Sequence, residues 1–218
     1  PLPPAREVPD GEPAHSLACG VDLAGIVSAL GEHPLSGDDE GLVPAFNVYL
    51  ASMPAVFYTE LSTRYARALE TVGLGEVARL QLYEVAETCA MRLLGGVLDS
   101  PEWEALAAPS VKGAGDRLRA LVAFSNGMGW GRWAVTEHTP GERLVLEAAD
   151  GYEAHEQLAR RGRAPEPRCF MLCGVAAGLC ELVYGEGDVC ERMGQFEAVE
   201  EECRAQGAPR CRFVVEAA

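Results

Sequence analysis

The sequence has few basic side chains. Its 18 Lys and Arg residues face 33 Asp and Glu residues, so the 218-residue chain carries a formal net charge of −15. A surface that neutralises nucleic-acid phosphates needs a local excess of Lys and Arg. The composition therefore argues against a nucleic-acid partner. One short basic run, Arg160-Arg161-Gly162-Arg163, is typical of a solvated loop, with an anion site as the less common alternative.

Long apolar stretches and standard catalytic motifs are also missing. No run approaches the roughly 18 apolar residues of a membrane-spanning helix, and the N-terminus lacks a secretory or lipidation signal. These absences predict a cytoplasmic protein with no membrane partner. No nucleophile elbow, phosphate loop or dinucleotide-binding glycine motif occurs, and the four histidines are dispersed. The sequence therefore identifies no catalytic residue.

The first 40 residues differ in composition from the rest. They hold six of the 14 prolines, and eight acidic residues against one arginine give a net charge of −7. We predict an acidic, Pro-rich N-terminal arm at residues 1–40, with a short docked helix within Leu17–Leu30. A single domain should follow at residues 41–218.

Hydrophobic periodicity predicts helices first and strands later. Helical spacing covers about 52–72, 75–94 and 101–126; Ser52 is the expected N-cap of the first helix, and Gly95-Gly96 should end the second. Extended patterns then predict hairpins over about 129–147 and 193–216, with helices near 152–159 and at 169–184 between them. Two hairpins separated by a helix predict an α+β fold, in which helices pack on one side of an antiparallel sheet.

Four apolar side chains cluster where the third helical segment meets the first hairpin. The ordinary interpretation is core packing, and the functional one is the wall of an apolar cavity for a hydrophobic small molecule. The candidate ligand-binding residues are Phe124, Met128, Trp130 and Trp133.

Six of the eight cysteines fall within Cys169–Phe213. In a reducing compartment this clustering favours metal ligands and buried thiols over a disulfide framework. A hairpin that places Cys203 beside Cys211, with Glu200 nearby, supplies three ligands of the kind that a closed structural zinc site uses. A helix cysteine would be the fourth ligand, and spacing alone leaves the choice open among Cys169, Cys173 and Cys180.

Two glycines, Gly174 and Gly178, lie four residues apart in the same predicted helix. Each costs roughly 1 kcal/mol of helix stability relative to alanine. Their presence therefore predicts that another element packs closely against this helix.

The C-terminal third resembles the signature of the 4-vinyl reductase (hydrocarbon-binding) domain family. The matching residues are Glu-Pro-Arg-Cys169, the two helix glycines, and Glu200-x-x-Cys203-x-x-x-Gly207-x-x-x-Cys211-x-Phe213. The resemblance implies an α+β fold related to that of transport-particle subunits, with a hydrophobic pocket between helices and sheet. It also implies a structural zinc bound by Cys169, Glu200, Cys203 and Cys211. Cys190 lies in a connection longer than the family's usual one and is a competing ligand.

Similar family members include sensor domains of aromatic-responsive activators and an accessory protein of bacteriochlorophyll synthesis. The resemblance therefore implies a binding or sensing domain for an aromatic or tetrapyrrole-like ligand. Two alternatives stay open. The first is an enzyme, or an enzyme's accessory subunit, in a pigment or secondary-metabolite pathway. The second is a protein-interaction subunit that forms a homodimer.

Overall fold

A computed structural model describes residues 17–32, 36–51 and 53–218. The expected N-cap Ser52 and residues 1–16 and 33–35 of the predicted arm lie outside the described residues. The helices are α1 (Leu23–Glu32), α2 (Ala55–Glu70), α3 (Gly75–Leu98), α4 (Pro101–Leu106), α5 (Ala114–Gly127), α6 (Tyr152–Arg161), α7 (Phe170–Tyr184) and α8 (Val189–Arg192). The strands are β1 (Val43–Ala45), β2 (Val48–Leu50), β3 (Gly131–Thr139), β4 (Arg143–Gly151), β5 (Phe196–Glu202) and β6 (Cys211–Ala217).

A four-stranded antiparallel sheet of order β3-β4-β6-β5 forms one layer of the protein. The two predicted hairpins are its halves, and they join where β4 pairs with β6. In β5 the side chains of Phe196 and Ala198 are buried while that of Val199 is exposed, so the strand presents one face to the interior. On the outer face Arg212 forms ion pairs with Glu137 and Glu201. The helices therefore cover one side of the sheet, and the α+β prediction is confirmed.

Helix α7 lies in the centre of the molecule, between the sheet and α3. Its residues from Leu172 to Leu182 are all buried. A Cβ atom on Gly174 would lie 2.1 Å from the carbonyl oxygen of Tyr83 in α3, and one on Gly178 would lie 3.0 Å from that of Glu87. The close approach predicted from the two glycines is therefore made by α3.

The prediction that Gly95-Gly96 ends α3 was wrong, because the helix continues to Leu98. A Cβ atom on Gly96 would lie 2.3 Å from the carbonyl oxygen of Phe46, in the turn between β1 and β2. Gly96 therefore lies inside the helix and permits the close approach of the β1-β2 turn. The tight turn itself places Phe46 and Asn47 at positive φ.

Helix α1 packs against α5 through Ile26 and Leu30, which are buried. The short helix predicted within Leu17–Leu30 is therefore present, although it begins later and ends at Glu32. The domain boundary near residue 40 stays a prediction. Among the described residues, no helix has both the length and the apolar content needed to cross a bilayer. The cytoplasmic location stays a prediction.

Candidate metal centre and ligand site

Three elements bring four candidate metal ligands together. Cys169 is the N-cap of α7, Glu200 belongs to β5, and Cys203 and Cys211 flank the connection from β5 to β6. All four are buried, with ligand atoms within 4.8 Å of one another. The sulfur atoms of Cys169 and Cys211 lie 3.6 Å apart. A tetrahedral zinc site with Zn–S bonds of ~2.3 Å places two sulfur atoms about 3.8 Å apart, so the spacing suits zinc.

The β5-β6 connection has the backbone conformation needed to place two thiols side by side. After Cys203 the chain makes one 3₁₀ turn and reverses at Gly207, whose φ is +106°. The amide of Arg204 donates a hydrogen bond to the sulfur of Cys211 at 3.4 Å. Such N–H···S bonds stabilise a thiolate, which is the form that binds a metal.

Glu200 has one oxygen fixed by the protein and the other available for a metal. Its Oε2 accepts a hydrogen bond from the amide of Cys169 at 3.0 Å. Its Oε1 is buried and has no hydrogen-bond partner among the described residues. Burial raises the pKa of this carboxyl to about 7. A cation at the centre of the cluster would satisfy the remaining oxygen and favour the carboxylate.

Without a bound cation, the three neighbouring thiols shift one another's pKa, and a negative charge on one disfavours charge on the others. Hydrogen bonds from Cys169 and Cys211 lower the pKa of Cys203 well below its usual value. The hydrogen bond with Cys203 in turn raises the pKa of Cys169 well above its usual value. A divalent cation would let all three sulfurs bind as thiolates. The donor set, its burial and its spacing therefore fit zinc.

The remaining cysteines lie outside this cluster. Cys173 and Cys180 are buried in α7, as predicted for core thiols, and Cys190 is exposed on α8. Neither Cys173 nor Cys190 belongs to the group of four ligand atoms.

A buried carboxyl beside the cluster was missed in the sequence. Glu153, in the first turn of α6, accepts hydrogen bonds from the amides of Met171 at 3.3 Å and Leu172 at 2.9 Å. These amides belong to the first turn of α7, so the side chain caps a distant helix. Burial raises the pKa of Glu153 to about 8. The signal available in the sequence was an acidic residue in the first turn of a helix that directly follows a strand.

The four candidate ligand-binding residues belong to one hydrophobic core, with Phe124 and Trp133 buried and Met128 and Trp130 half-buried. They make separate aromatic contacts. The Phe124 ring packs edge-on against that of Phe46 at 6.2 Å, whereas the Trp133 ring stacks on that of Phe213 at 5.2 Å.

The backbone of Trp133 is held by Asn126. The Asn126 side chain accepts a hydrogen bond from the Trp133 amide at 2.8 Å and donates one to its carbonyl oxygen at 2.9 Å. The indole Nε1 of Trp133 is different, because it is buried and has no hydrogen-bond acceptor among the described residues. It lies against the backbone of Gly131, where an added Cβ atom would approach it to 2.1 Å. The site thus has a fixed aromatic ring with one free donor.

Three solved structures resemble this chain. The phenol-responsive sensory domain of the transcription activator PoxR, determined with phenol, has a TM-score of 0.66 at 17% identity and matches 90% of each chain. A second structure is a trafficking protein particle complex subunit 3 from Naegleria fowleri, covalently bound to palmitic acid. Its TM-score is 0.47 at 17% identity, and the match covers 76% of this chain and 97% of that chain. A vinyl-4-reductase family protein from Methanocaldococcus jannaschii has a TM-score of 0.45 at 16% identity, and the match covers 90% of this chain and 92% of that chain.

The sequence matches no protein-family model and no curated protein. The similarity to the phenol-responsive domain extends over nearly the whole length of both chains. This chain has the fold of that sensory domain, so the resemblance to sensor domains of aromatic-responsive activators is confirmed at the level of the fold.

Proposed function

We propose that this protein is a binding domain for a small aromatic molecule that carries a hydrogen-bond acceptor. The observation that carries the proposal is the indole N–H of Trp133, a residue that is 3% exposed and whose donor has no acceptor among the described residues. A buried donor without an acceptor costs about 1–3 kcal/mol. A ligand hydroxyl or carbonyl oxygen would recover that energy on binding.

The packing around Trp133 favours a single ring over a larger ligand. Phe124 and Phe213 are fully buried, and the core around them is continuous. Because protein interiors are close-packed, a ligand must displace side chains in proportion to its volume. A one-ring phenol requires less displacement than a tetrapyrrole, and the fold shared with a phenol-responsive domain supports the same choice.

A structural zinc is the second part of the proposal. Cys169, Glu200, Cys203 and Cys211 would bind it and join the N-terminus of α7 to the β5-β6 hairpin. Four protein ligands complete a tetrahedral shell and leave no position for a catalytic water. The zinc would therefore stabilise the fold without acting on the ligand.

The test compares phenol with toluene, which has nearly the same size and no oxygen. We expect phenol to bind more tightly than toluene, by roughly tenfold, in isothermal titration calorimetry. Trp133→Phe should remove this preference, because it removes the N–H while keeping an aromatic ring. Any change in packing around the ring affects both ligands, so the ratio of their affinities isolates the hydrogen bond.

Two results would contradict the binding proposal. One is a phenol preference that persists in Trp133→Phe. The other is the absence of binding and of thermal stabilisation across a panel of substituted phenols, since a ligand that binds the native state raises its stability.

A homodimer is a further proposal, supported by exposed apolar side chains on the α2-α3 helix pair. Phe57 and Leu61 share one face of α2, and Val77 and Leu80 are similarly exposed on α3. Pairing with a second copy would bury these side chains. Light scattering should give the mass of a dimer, and Leu61→Glu with Leu80→Glu should give a monomer. A strictly monomeric wild-type protein would rule out this association.

A further inference from the structure

Five arginines surround one cleft on the far side of α7 from the Trp133 site. The cleft has a volume of about 240 Å³ and lies between α2, α3 and the segment that connects α6 to α7. Its basic lining residues are Arg67, Arg79, Arg161, Arg163 and Arg168. The chain as a whole carries a charge of −15 and repels anions at long range. A cluster of arginines on so acidic a protein therefore indicates a local anion-binding site.

The acidic residues around the cleft do not neutralise it. Glu70 and Glu166 also line it, which leaves three more arginines than carboxylates in the wall. Glu166 forms ion pairs with two of the arginines. Its Oε2 lies 2.6 Å from Arg79 Nη2, and its Oε1 lies 3.4 Å from Arg168 Nη2. Glu60 binds Arg161 and Glu76 binds Arg79, which reduces the excess of positive charge without cancelling it.

Two guanidinium groups have buried donors without acceptors. Among the described residues, Arg161 Nη1 and Arg168 Nε are buried from solvent and have no hydrogen-bond partner. Both side chains also line a small adjoining recess of about 20 Å³. Arg67 and Arg163 form no ion pair within the described part of the chain and are exposed at the mouth. Arginines with unpaired donors thus line the cleft together with arginines whose charge is free of ion pairs among the described residues.

Phosphate is the group that this arrangement suits. Guanidinium groups bind phosphate oxygens through paired, charge-assisted hydrogen bonds, and several arginines together favour a dianion over a single carboxylate. The cleft is smaller than the usual pocket for a drug-sized molecule, but it accommodates a phosphate with part of the group attached to it. We propose that this cleft binds the phosphate of a small phosphate-bearing molecule, at a site separate from Trp133 and from the four metal ligands.

The experiment titrates the metal-loaded protein with inorganic phosphate and with succinate at constant ionic strength, using calorimetry and ³¹P line broadening. Arg161→Gln should weaken phosphate binding roughly tenfold. Arg160→Gln is the matched control, because Arg160 precedes Arg161 on the same helix and pairs with Glu156 outside the cleft. It should leave phosphate binding unchanged.

Arg67→Gln provides a second variant if the loss of the Arg161–Glu60 pair harms folding, because Arg67 is exposed on α2 and free of ion pairs in the described residues. It should also weaken phosphate binding. Trp133→Phe should bind phosphate like the wild type, so failure of the aromatic-ligand proposal would not mimic failure here. The proposal is overturned if phosphate does not bind, if succinate binds more tightly, or if Arg160→Gln weakens binding as much as Arg161→Gln.

Discussion

The carboxyl groups buried around the two halves of α7 lie in different electrostatic environments. At its N-terminus, Glu153 and Glu200 accept hydrogen bonds from the amides of Cys169, Met171 and Leu172. Amides at a helix N-terminus stabilise negative charge, as does a nearby cation. Burial nevertheless raises the pKa of Glu153 and Glu200, so a nearby cation would be needed to favour their charged forms fully.

The C-terminal half contains a carboxyl pair with no such counter-charge. Glu181 is fully buried, Glu87 of α3 is 3% exposed, and the two carboxyl groups are neighbours that a shared proton would join by a hydrogen bond. Two carboxyl groups can form a hydrogen bond only when they hold a proton between them. The amide of Gly194 donates a hydrogen bond to Glu87 at 3.3 Å, and the amide of Gln195 donates one to Glu181 at 3.1 Å. The N-terminal half therefore offers a ligand set that a cation would complete, whereas burial in the C-terminal half favours the protonated form of Glu87.

Removing a metal ligand should have the largest effect. Cys203→Ser or Cys211→Ser should abolish binding of about one zinc per chain and lower the free energy of unfolding by at least about 5 kcal/mol, because zinc binding contributes directly to folding. Metal analysis by mass spectrometry and thermal unfolding measure both effects. Cys180→Ser should retain the zinc, since Cys180 lies in the core of α7. Full zinc content in Cys203→Ser would show that Cys203 is not a ligand of the metal.

Substitutions at the contact between α7 and α3 should have the next largest effect on stability. Gly174→Ala should destabilise the protein by about 2–3 kcal/mol, because the new Cβ atom meets the Tyr83 carbonyl oxygen at 2.1 Å and no side chain can move away. Gly178→Ala is the comparison within the same helix, with a nearest distance of 3.0 Å. Its smaller clash is offset by the gain in helix propensity, roughly 1 kcal/mol. Equal effects of the two substitutions in chemical denaturation would show that the spacing of the helices is not fixed at Gly174.

The smallest expected effect is a change in pH dependence. Burial, followed by the hydrogen bond to Glu181, raises the pKa of Glu87 from 4.5 to about 8. Between these values the folded protein holds a proton that the unfolded chain has released, so the stability contributed by Glu87 is complete below about pH 4.5 and lost as pH rises through about 8.

Glu87→Gln should therefore flatten the fall in stability across that pH window, by a few degrees in Tm. Glu104→Gln is the control, because Glu104 is exposed on α4 and is not among the groups that raise the pKa of Glu87. Thermal unfolding between pH 5 and 8 measures the difference. A slope unchanged in Glu87→Gln would mean that the carboxyl pair holds no additional proton.

Local patterns predicted most of the elements but not the short ones. The hairpin formed by β3 and β4 follows from alternating side chains around the turn at Thr139–Glu142. The β1-β2 hairpin was missed because its strands have three residues each and its turn uses Phe46 rather than a glycine. The buried ring of Phe46, packed on Phe124, offsets the cost of the positive φ.

The candidate metal ligands could be predicted only partly from spacing. Cys203 and Cys211 are close in sequence, so a hairpin was enough to pair them. Cys169, Cys173 and Cys180 are equivalent on a helical face, and the resemblance to a known family, rather than geometry, singled out Cys169. The structure places Cys169 in the cluster because it precedes the first turn of α7, at the edge of the sheet where β5 ends. Its role as a zinc ligand stays a prediction.

The sequence by itself determined the α+β pattern, the acidic character and the supply of thiols and carboxyls, because these depend on residues near one another in the chain. The tertiary structure decided which groups meet. Cys169 contacts Cys211 across 42 positions, and Arg79 contacts Glu166 across 87. Such contacts depend on how α7 crosses the sheet and how α3 packs on α7, and no local periodicity encodes those arrangements.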